Sequence, residues 1–498
     1  MLKLDGCSKC HQGVDAPDDF GRIRGDFSVA DYDGDRNTLE GIKLEIEGLQ
    51  AILYQAIQIY AANSGKPIVF DPDTAPYFYN DGEGNGQLDE GEALETNRYN
   101  AWSGRLLKAA YNYNFSQKDS GAFIHGSKYI IQLLYDSIES LDPTVTEDLE
   151  RDDPAHFNGA AGAWRIYDAV GQVDGECARC HSAAGLPTYL TVGDNYYPER
   201  PSNGLACSTC HSDLRRYKRF VVEAVTFPDG DKYSLDADSN LCISCHQGRA
   251  AAADLEKLLQ GLSPDEAVVG LSIPDVHGYQ AGLTILGSQG GGAYLYAGKR
   301  YASRNLHVEE FDDCVDCHGG HALAIDEEQC GTCHGHRASD ERTKPQHHPS
   351  PMGCRDCHGM VNVEEIRGHK DYLPLIDFDG DGDRQEGLSQ EVRTLETALY
   401  GAIQAYANEQ VGTPLIFDAY NSPNFFVDIN ANGQLDSGEA SQDNRYTTWT
   451  PRLMQAAYNY LYAIKDPGAY AHNGKYILQV LYDSLADLGG ETSGLARP

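Results

Sequence analysis

Residues 314–358 read CVDCHGGHALAIDEEQCGTCHGHRASDERTKPQHHPSPMGCRDCH, three copies of Cys-x-x-Cys-His in fewer than fifty residues. In an oxidising compartment this spacing is the attachment signature of a c-type haem. Two thiols three residues apart reach the two vinyl groups on one edge of a porphyrin, and the histidine that follows falls on the iron. Three such sites this close in sequence cannot be far apart in space.

Working outward, all 14 cysteines fall into seven such motifs. Cys7 and Cys10 are followed by His11, Cys177 and Cys180 by His181, Cys207 and Cys210 by His211, and Cys242 and Cys245 by His246. Cys314 and Cys317 precede His318, Cys330 and Cys333 precede His334, and Cys354 and Cys357 precede His358. None is left for a disulfide, a nucleophile or a zinc site. One isolated copy could be a zinc knuckle or a thioredoxin-like pair, but seven copies with the trailing histidine are read as seven covalently bound haem c groups.

Covalent haem attachment happens outside the cytoplasm, so an exported protein, periplasmic or extracellular, is expected. The opening MLKLDGCSKCHQG has no leader character, and no segment reaches the roughly 20 apolar residues that span a bilayer. A net charge of -36 repels nucleic acid and anionic lipid and favours cations and basic partners.

The seventh motif also opens a repeat. GCSKCH and GCRDCH each lead to Ile-Arg-Gly (23–25 and 366–368), then to DYDGD (31–35) or DFDGD (377–381). The match continues through NGQLDEGE and NGQLDSGE, NRYNAW and NRYTTW, AAYNY in both, and GSKYIIQLLYDS and NGKYILQVLYDS. The predicted organisation is therefore a helical one-haem module at 1–150, a five-haem core at 151–350 and a second copy of the module at 351–498. Apolar periodicity predicts helices over Leu39 to Ala62, Gly104 to Asn114 and Ser127 to Ser140, with counterparts near 451–462 and 474–486. In the core, β-hairpins are expected around Pro228-Asp229-Gly230 and around Ala297-Gly298 within Ala293 to Tyr301.

Each module carries a twelve-residue loop of EF-hand pattern. In the first, calcium ligands are expected from Asp81, Glu83, Asn85, the Gln87 carbonyl and Glu92; in the second, from Asp428, Asn430, Asn432, Gln434 and Glu439. The alternative is an Asn-Gly turn on an acidic surface. DYDGD and DFDGDGD match the pattern less well: Asp31, Asp33, Asp35 and Asp377, Asp379, Asp381 are offered, but the next acid, Glu40 or Glu386, comes at position 10.

Seven of the 17 histidines follow a CxxC, leaving ten to supply seven sixth iron ligands. His125, His156, His277, His307, His321, His347 and His472 are the candidates, with His348, His369 and His336 in reserve. Methionine is scarce at four residues, so bis-His ligation and low potentials are expected. His125 and His472 stand out because they occupy equivalent repeat positions, in FIHGSKY and YAHNGKY.

The runs AHFNGAAGAWRIYD, CARCHSAAGLPTYL, CSTCH, VTFPDG, CISCHQGR, VHGYQAGLTILG and the Asn-Leu-His ahead of CVDCHGGH resemble multihaem cytochromes c of environmental bacteria. The second module resembles the calcium-loop helical domain that accompanies such cores. The resemblance implies a fold that is mostly coil with α-helices and minor β-hairpins, organised by stacked c-type haems, with a helical calcium-loop module at each end. It also implies bis-His haems using the histidines of AHF, VHGY, NLH, CHGGH and AHNGKY. The duplicated module, the extra haem ahead of each copy and the His347–His348 pair depart from that pattern.

Two function classes follow. The first is a non-enzymatic electron carrier that passes electrons along closely spaced haems to other redox proteins or extracellular acceptors. The alternative is a multihaem oxidoreductase with one open-coordination haem, reducing a small nitrogen or sulfur substrate; such enzymes often carry a variant CxxCK motif, and every motif here ends in His. A bare outer face on the second module would further allow a head-to-tail homo-polymer, an extracellular conductive filament.

Overall fold

A computed structural model describes residues 14, 16–25, 28, 30–153, 155–193, 197–216, 218–305, 307, 313–318, 365–367 and 376–498. Helices dominate, and the described strands form five two-stranded antiparallel sheets. The chain divides into two compact units, one comprising the described residues up to Arg219 and the other those from Phe220 onward. Segment 151–219 accordingly belongs with the first module and 220–305 with the second.

In the first unit, α1 (Ile42–Asn63) buries Ile42, Ile46, Leu49, Leu53 and Ile57 along one stripe. It starts three residues later than the periodicity suggests because Gly41 is pressed on the backbone of Gly21, where a Cβ would meet the carbonyl oxygen at 2.0 Å. The Ile42 N–H donates to the Ile23 carbonyl at 2.9 Å. Hairpin β1 (Ile68–Phe70) and β2 (Phe78–Asn80) follows, in register Val69 with Tyr79. Its strands are too short to show alternation, and the sequence reading missed it. Helix α2 (Gly104–Lys118) is capped by Ser103, whose hydroxyl accepts from the Leu106 N–H at 3.1 Å. It runs one turn past the predicted end. Helix α3 (Ser127–Leu141) completes a three-helix layer whose core includes Leu49, Leu53, Leu134 and Ile138, none of them exposed. Each such side chain contributes about 1.5–3 kcal/mol on burial.

Beyond the module, the first unit carries α4 (Gly175–His181), α5 (Gly185–Val192), α6 (Cys207–Cys210) and the pair β3 (His211–Asp213) and β4 (Lys218–Arg219).

The second unit begins with the predicted hairpin, β5 (Val225–Thr226) and β6 (Lys232–Tyr233), then α7 (Ala237–Ile243), α8 (Ala252–Leu259), β7 (Val268–Val269), α9 (Ala281–Leu286) and α10 (Cys314–His318). The second module repeats the first as α11 (Leu388–Tyr406), β8 (Leu415–Phe417), β9 (Phe425–Val427), β10 (Thr448–Trp449), α12 (Pro451–Ile464) and α13 (Ala469–Asp487). The copies agree to the level of ring packing: Tyr54 stacks on Tyr113 with centroids 5.3 Å apart, and Tyr400 on Tyr460 at 5.4 Å.

They differ in what covers α12 and α13. The expectation that the second module presents a bare face is not met, because residues 252–305 of the same unit lie over it. β10 pairs with β7, and Asn459 holds the backbone of Tyr294 at both ends, accepting its N–H at 2.8 Å and donating to its carbonyl at 3.0 Å. The Tyr458 hydroxyl donates to the Gly292 carbonyl at 2.9 Å. Gly292 is required there: a Cβ would lie 2.5 Å from the Tyr462 ring. Arg452 and Tyr406 both bond Asp265, at 2.6 and 2.7 Å. Met454, Tyr458, Tyr462 and Tyr476 are fully buried, whereas their counterparts Leu107, Tyr111, Phe115 and Tyr129 are 42–68 % exposed. The hairpin expected over Ala293 to Tyr301 does not form; that stretch spends its backbone groups on the second module instead.

Candidate haem-ligand sites and acidic loops

Four CxxCH motifs lie in the described residues, and each sits on or beside a short helical turn that puts both cysteines on one face. Their eight cysteines are Cys177 with Cys180, Cys207 with Cys210, Cys242 with Cys245, and Cys314 with Cys317, and none is disulfide-bonded. Cys180 and Cys245, the second thiols of their motifs, are half-buried, and each is followed directly by the histidine predicted to meet the iron, His181 or His246. The other three motifs fall outside the described residues. These are Cys7 and Cys10 with His11, Cys330 and Cys333 with His334, and Cys354 and Cys357 with His358. His321, His336, His347, His348 and His369 fall outside them as well.

The described motifs come in two pairs. In the first unit, the hydroxyl of Thr209, inside Cys207–Cys210, donates to the Ala183 carbonyl at 2.7 Å, just past His181. Gly185 lies against α4, where a Cβ would approach the Ala178 carbonyl oxygen to 1.9 Å, so the tight α4–α5 turn depends on glycine. His181 Nδ1 donates to the Ala163 carbonyl at 2.9 Å, which fixes the tautomer whose Nε2 can ligate a metal. His156 lies beside the second motif, its carbonyl accepting from Leu205 N–H at 2.9 Å, and burial holds its imidazole below the usual range. In the second unit, α7 and α10 run side by side: the Cys314 N–H donates to the Ser239 hydroxyl at 3.1 Å, and the Cys314 sulfur reaches that of Cys242. His246 stacks on Tyr279 at 6.1 Å, and His277, two residues earlier, is half-exposed with Nδ1 4.0 Å from Asp275. His307 is exposed.

His125 and His472 share one construction. Each ends a short helical turn before a kink, and each has Nδ1 2.9 Å from a carboxylate six residues earlier, Asp119 or Asp466. A carboxylate on Nδ1 fixes the tautomer and leaves Nε2 to ligate a metal. A glycine makes room for each ring: a Cβ at Gly121 would sit 2.6 Å from Cε1 of His125, and one at Gly468 would sit 2.7 Å from Cε1 of His472. Their surroundings differ sharply. The His125 side chain is 69 % exposed; that of His472 is 19 % exposed, with its ring centroid 6.2 Å from that of His318. Metal–imidazole bonds of about 2.0–2.1 Å on both sides of one ion would set the two centroids roughly 6 Å apart. Burial opposes charge on His472, but Asp466 outweighs it and raises the pKa. The orienting aspartates escaped the sequence reading, although the spacing Asp-x5-His recurs in both modules.

The EF-hand-patterned loops follow a strand, β2 or β9, rather than a helix. Asp81 accepts from the N–H of Gly84 at 2.6 Å and of Gly86 at 2.7 Å; Asp428 accepts from Gly433 at 2.7 Å. Gly86 and Gly433 both have φ of 75°, the left-handed conformation that the sixth position requires. Glu92 and Glu439 close the loops, accepting from the second residue, Gly82 or Ile429, and the ninth, Asp89 or Asp436. Glu83 is exposed, the Asn85 amide donates to Asp89 at 2.7 Å, and both Asn430 and Asn432 donate to Asp436. Gln87 and Gln434 donate their N–H to Asn85 and Asn432 at 2.7 Å.

Among the described residues, close groups of three acids occur at the other pair of loops. Asp31, Asp33 and Glu45 form one, Asp33, Asp35 and Glu40 a second, and Asp377, Asp379, Glu391 with Asp379, Asp381, Glu386 repeat them, each group's oxygens within 4.8 Å. Glu45 and Glu391 are fully buried. They pair with Arg24 and Arg367 and accept the N–H groups of Tyr32 and Asp33, or of Phe378 and Asp379. Burial first, then Asp379 and Asp381, push the Glu386 carboxyl up to about 7, and Glu40 is raised to about 7 in the same way by burial and by Asp33 and Asp35.

The chain is similar to the C-type polyheme cytochrome OmcB of Geobacter sulfurreducens, in each of two strains, at 25 % identity over 368 residues, 65 % of this chain and 45 % of that protein. It is also similar to the C-type polyheme cytochrome OmcC of that organism, at 24 % identity over 429 residues, 76 % of this chain and 51 % of that one. The chain thus matches about half the length of each. No family model and no solved structure matches. No described helix is long and apolar enough to cross a membrane.

Proposed function

As a homologue of polyhaem c-type cytochromes, this chain is, we propose, a seven-haem electron carrier working outside the cytoplasm. The observation that carries the reading is His472: tautomer fixed by Asp466, largely buried, and 6.2 Å ring to ring from the histidine that follows Cys314 and Cys317. A haem attached to those cysteines takes His318 on one face and His472 on the other. By the same motif, His11, His181, His211, His246, His334 and His358 ligate the other six irons on the attachment side. His125, His156, His277, His307, His321 and His347 serve their opposite faces, with His348, His369 and His336 in reserve. The haems supply one-electron chemistry; the protein supplies spacing, ligation and insulation. With Cys242 beside Cys314, and Thr209 on the turn after His181, the attachment sites lie in close pairs that suit direct transfer.

Calcium at Asp81–Glu92 and Asp428–Glu439 clips each module shut, supported by the buried first aspartates and the left-handed sixth glycines. The net charge of -36 favours redox partners with basic docking faces. The face of the second module that a head-to-tail contact would use is covered by residues 252–305 of the same unit.

The test is electron paramagnetic resonance of the oxidised protein with a pyridine haemochrome count. Seven low-spin haems support the carrier. A high-spin haem in the unmodified chain would overturn it in favour of the oxidoreductase.

A further inference from the structure

We propose that the Asp-rich loop opening each module holds a hard divalent cation of the calcium class, ligated by Asp379, Asp381 and Glu386 in the second module and by Asp33, Asp35 and Glu40 in the first. These residues are separate from the EF-hand-patterned loops, and the inference does not depend on those loops binding metal.

Three carboxylates with oxygens within 4.8 Å repel one another unless a cation lies between them. The backbone has already been arranged for one. Asp377 accepts from the N–H of Gly380 at 2.5 Å and of Gly382 at 2.9 Å, curling the chain around the cluster. Asp379 and Asp381 each give one oxygen to a following N–H, of Asp381 at 3.2 Å and Asp383 at 2.7 Å, and each keeps the other. The second, independent sign is a pair of buried oxygens. Asp379 is only 7 % exposed, yet its Oδ2 has no hydrogen-bond donor among the described residues, and Glu386 Oε1 is buried without one as well. Leaving such groups unpaired is costly.

Among the described residues, Asp379, Asp381 and Glu386 form no ion pair with a lysine or arginine. Arg367 is committed to Glu391 at 2.5 Å and to the Glu386 carbonyl at 2.6 Å. That pairing gives Glu391 its own role: it anchors the loop through the N–H groups of Phe378 and Asp379 at 2.7 and 2.8 Å and leaves ligation to the other three. The first module builds the same group from Asp33, Asp35 and Glu40 and the same anchor from Arg24 and Glu45. A set of carboxylate oxygens without imposed octahedral geometry suits calcium better than magnesium, which demands it.

Equilibrium dialysis of the haem-loaded full chain against calcium chloride tests this. Asp379→Asn with Glu386→Gln is expected to lower bound calcium by one ion per chain, and Asp33→Asn with Glu40→Gln by one more. Asp428→Asn, in the other class of loop, should leave the ion lost in Asp379→Asn in place. Unchanged stoichiometry in both double variants overturns the proposal, even if Asp428→Asn loses an ion. A wild-type chain binding no calcium at millimolar concentration overturns it together with the EF-hand-loop reading. Should a double variant fail to fold, judged by its visible haem spectrum, the exposed Asp381→Asn alone is expected to weaken one site roughly tenfold or more, and unchanged affinity there overturns the proposal.

Discussion

His472 joins the two halves of the second unit's chemistry. Its helix belongs to the module, its orienting carboxylate comes from Asp466, and its ring faces a motif more than 150 residues earlier in the chain. His472→Ala should convert one haem to high spin, read as a new high-spin resonance with the other six unchanged. Gly468→Ala is the subtler test. Its methyl would lie 2.7 Å from the imidazole Cε1, so the ring must rotate and a partial high-spin signal is expected although both ligands remain. If neither substitution changes the spectrum, His472 is not the ligand. The pairing of His125 with His472 was legible in the repeat. That His472 lies ring to ring with His318 was not, because ring separation is a property of folded helices.

At the scale of elements, α2 and α12 are near copies with opposite environments. Tyr111 is 68 % exposed; Tyr458, its counterpart, is fully buried and bonds the Gly292 carbonyl. Tyr458→Ser is therefore predicted to destabilise the chain by about 3–5 kcal/mol, as aromatic truncations in cores do. Tyr111→Ser should stay within about 0.5 kcal/mol. Guanidinium denaturation of the two variants side by side checks this, and equal losses would mean that the two faces are equally covered. No pattern in AAYNY distinguishes the copies. The difference comes from Gly292 and Tyr294; Tyr294 lies in the stretch Ala293 to Tyr301 expected to form a hairpin, and its backbone bonds Asn459 instead.

For the molecule as a whole, acid and salt are the levers. Asp265 is held below the usual carboxylate range by its hydrogen bonds to Arg452 and Tyr406. A carboxyl with a depressed folded pKa contributes stability above its unfolded pKa, about 3.9, and loses it as pH falls through the folded value. Hydrogen exchange at Val268–Val269, where β7 pairs with β10, should therefore accelerate below about pH 4 relative to exchange within α11; uniform acceleration would show that Asp265 does not secure this seat. A net charge of -36 predicts that electron exchange with a cationic redox partner slows as ionic strength rises, measured by stopped-flow reduction. A rate insensitive to salt would show that docking does not use the acidic surface.

The sequence by itself determined the cofactor chemistry, the repeat and five of the six long helices, all but α11, because attachment motifs, duplication and 3.6-residue periodicity are local and written in residue order. It also exposed the acidic loops, though not Glu45 and Glu391 as their anchors, since a glutamate in a helical stripe reads as surface until an arginine is seen against it. Only the tertiary structure decided which module face is covered, which histidine meets His318 and which carboxylates converge. Those depend on contacts between residues far apart in the chain, where packing and electrostatics, rather than spacing, select the partner.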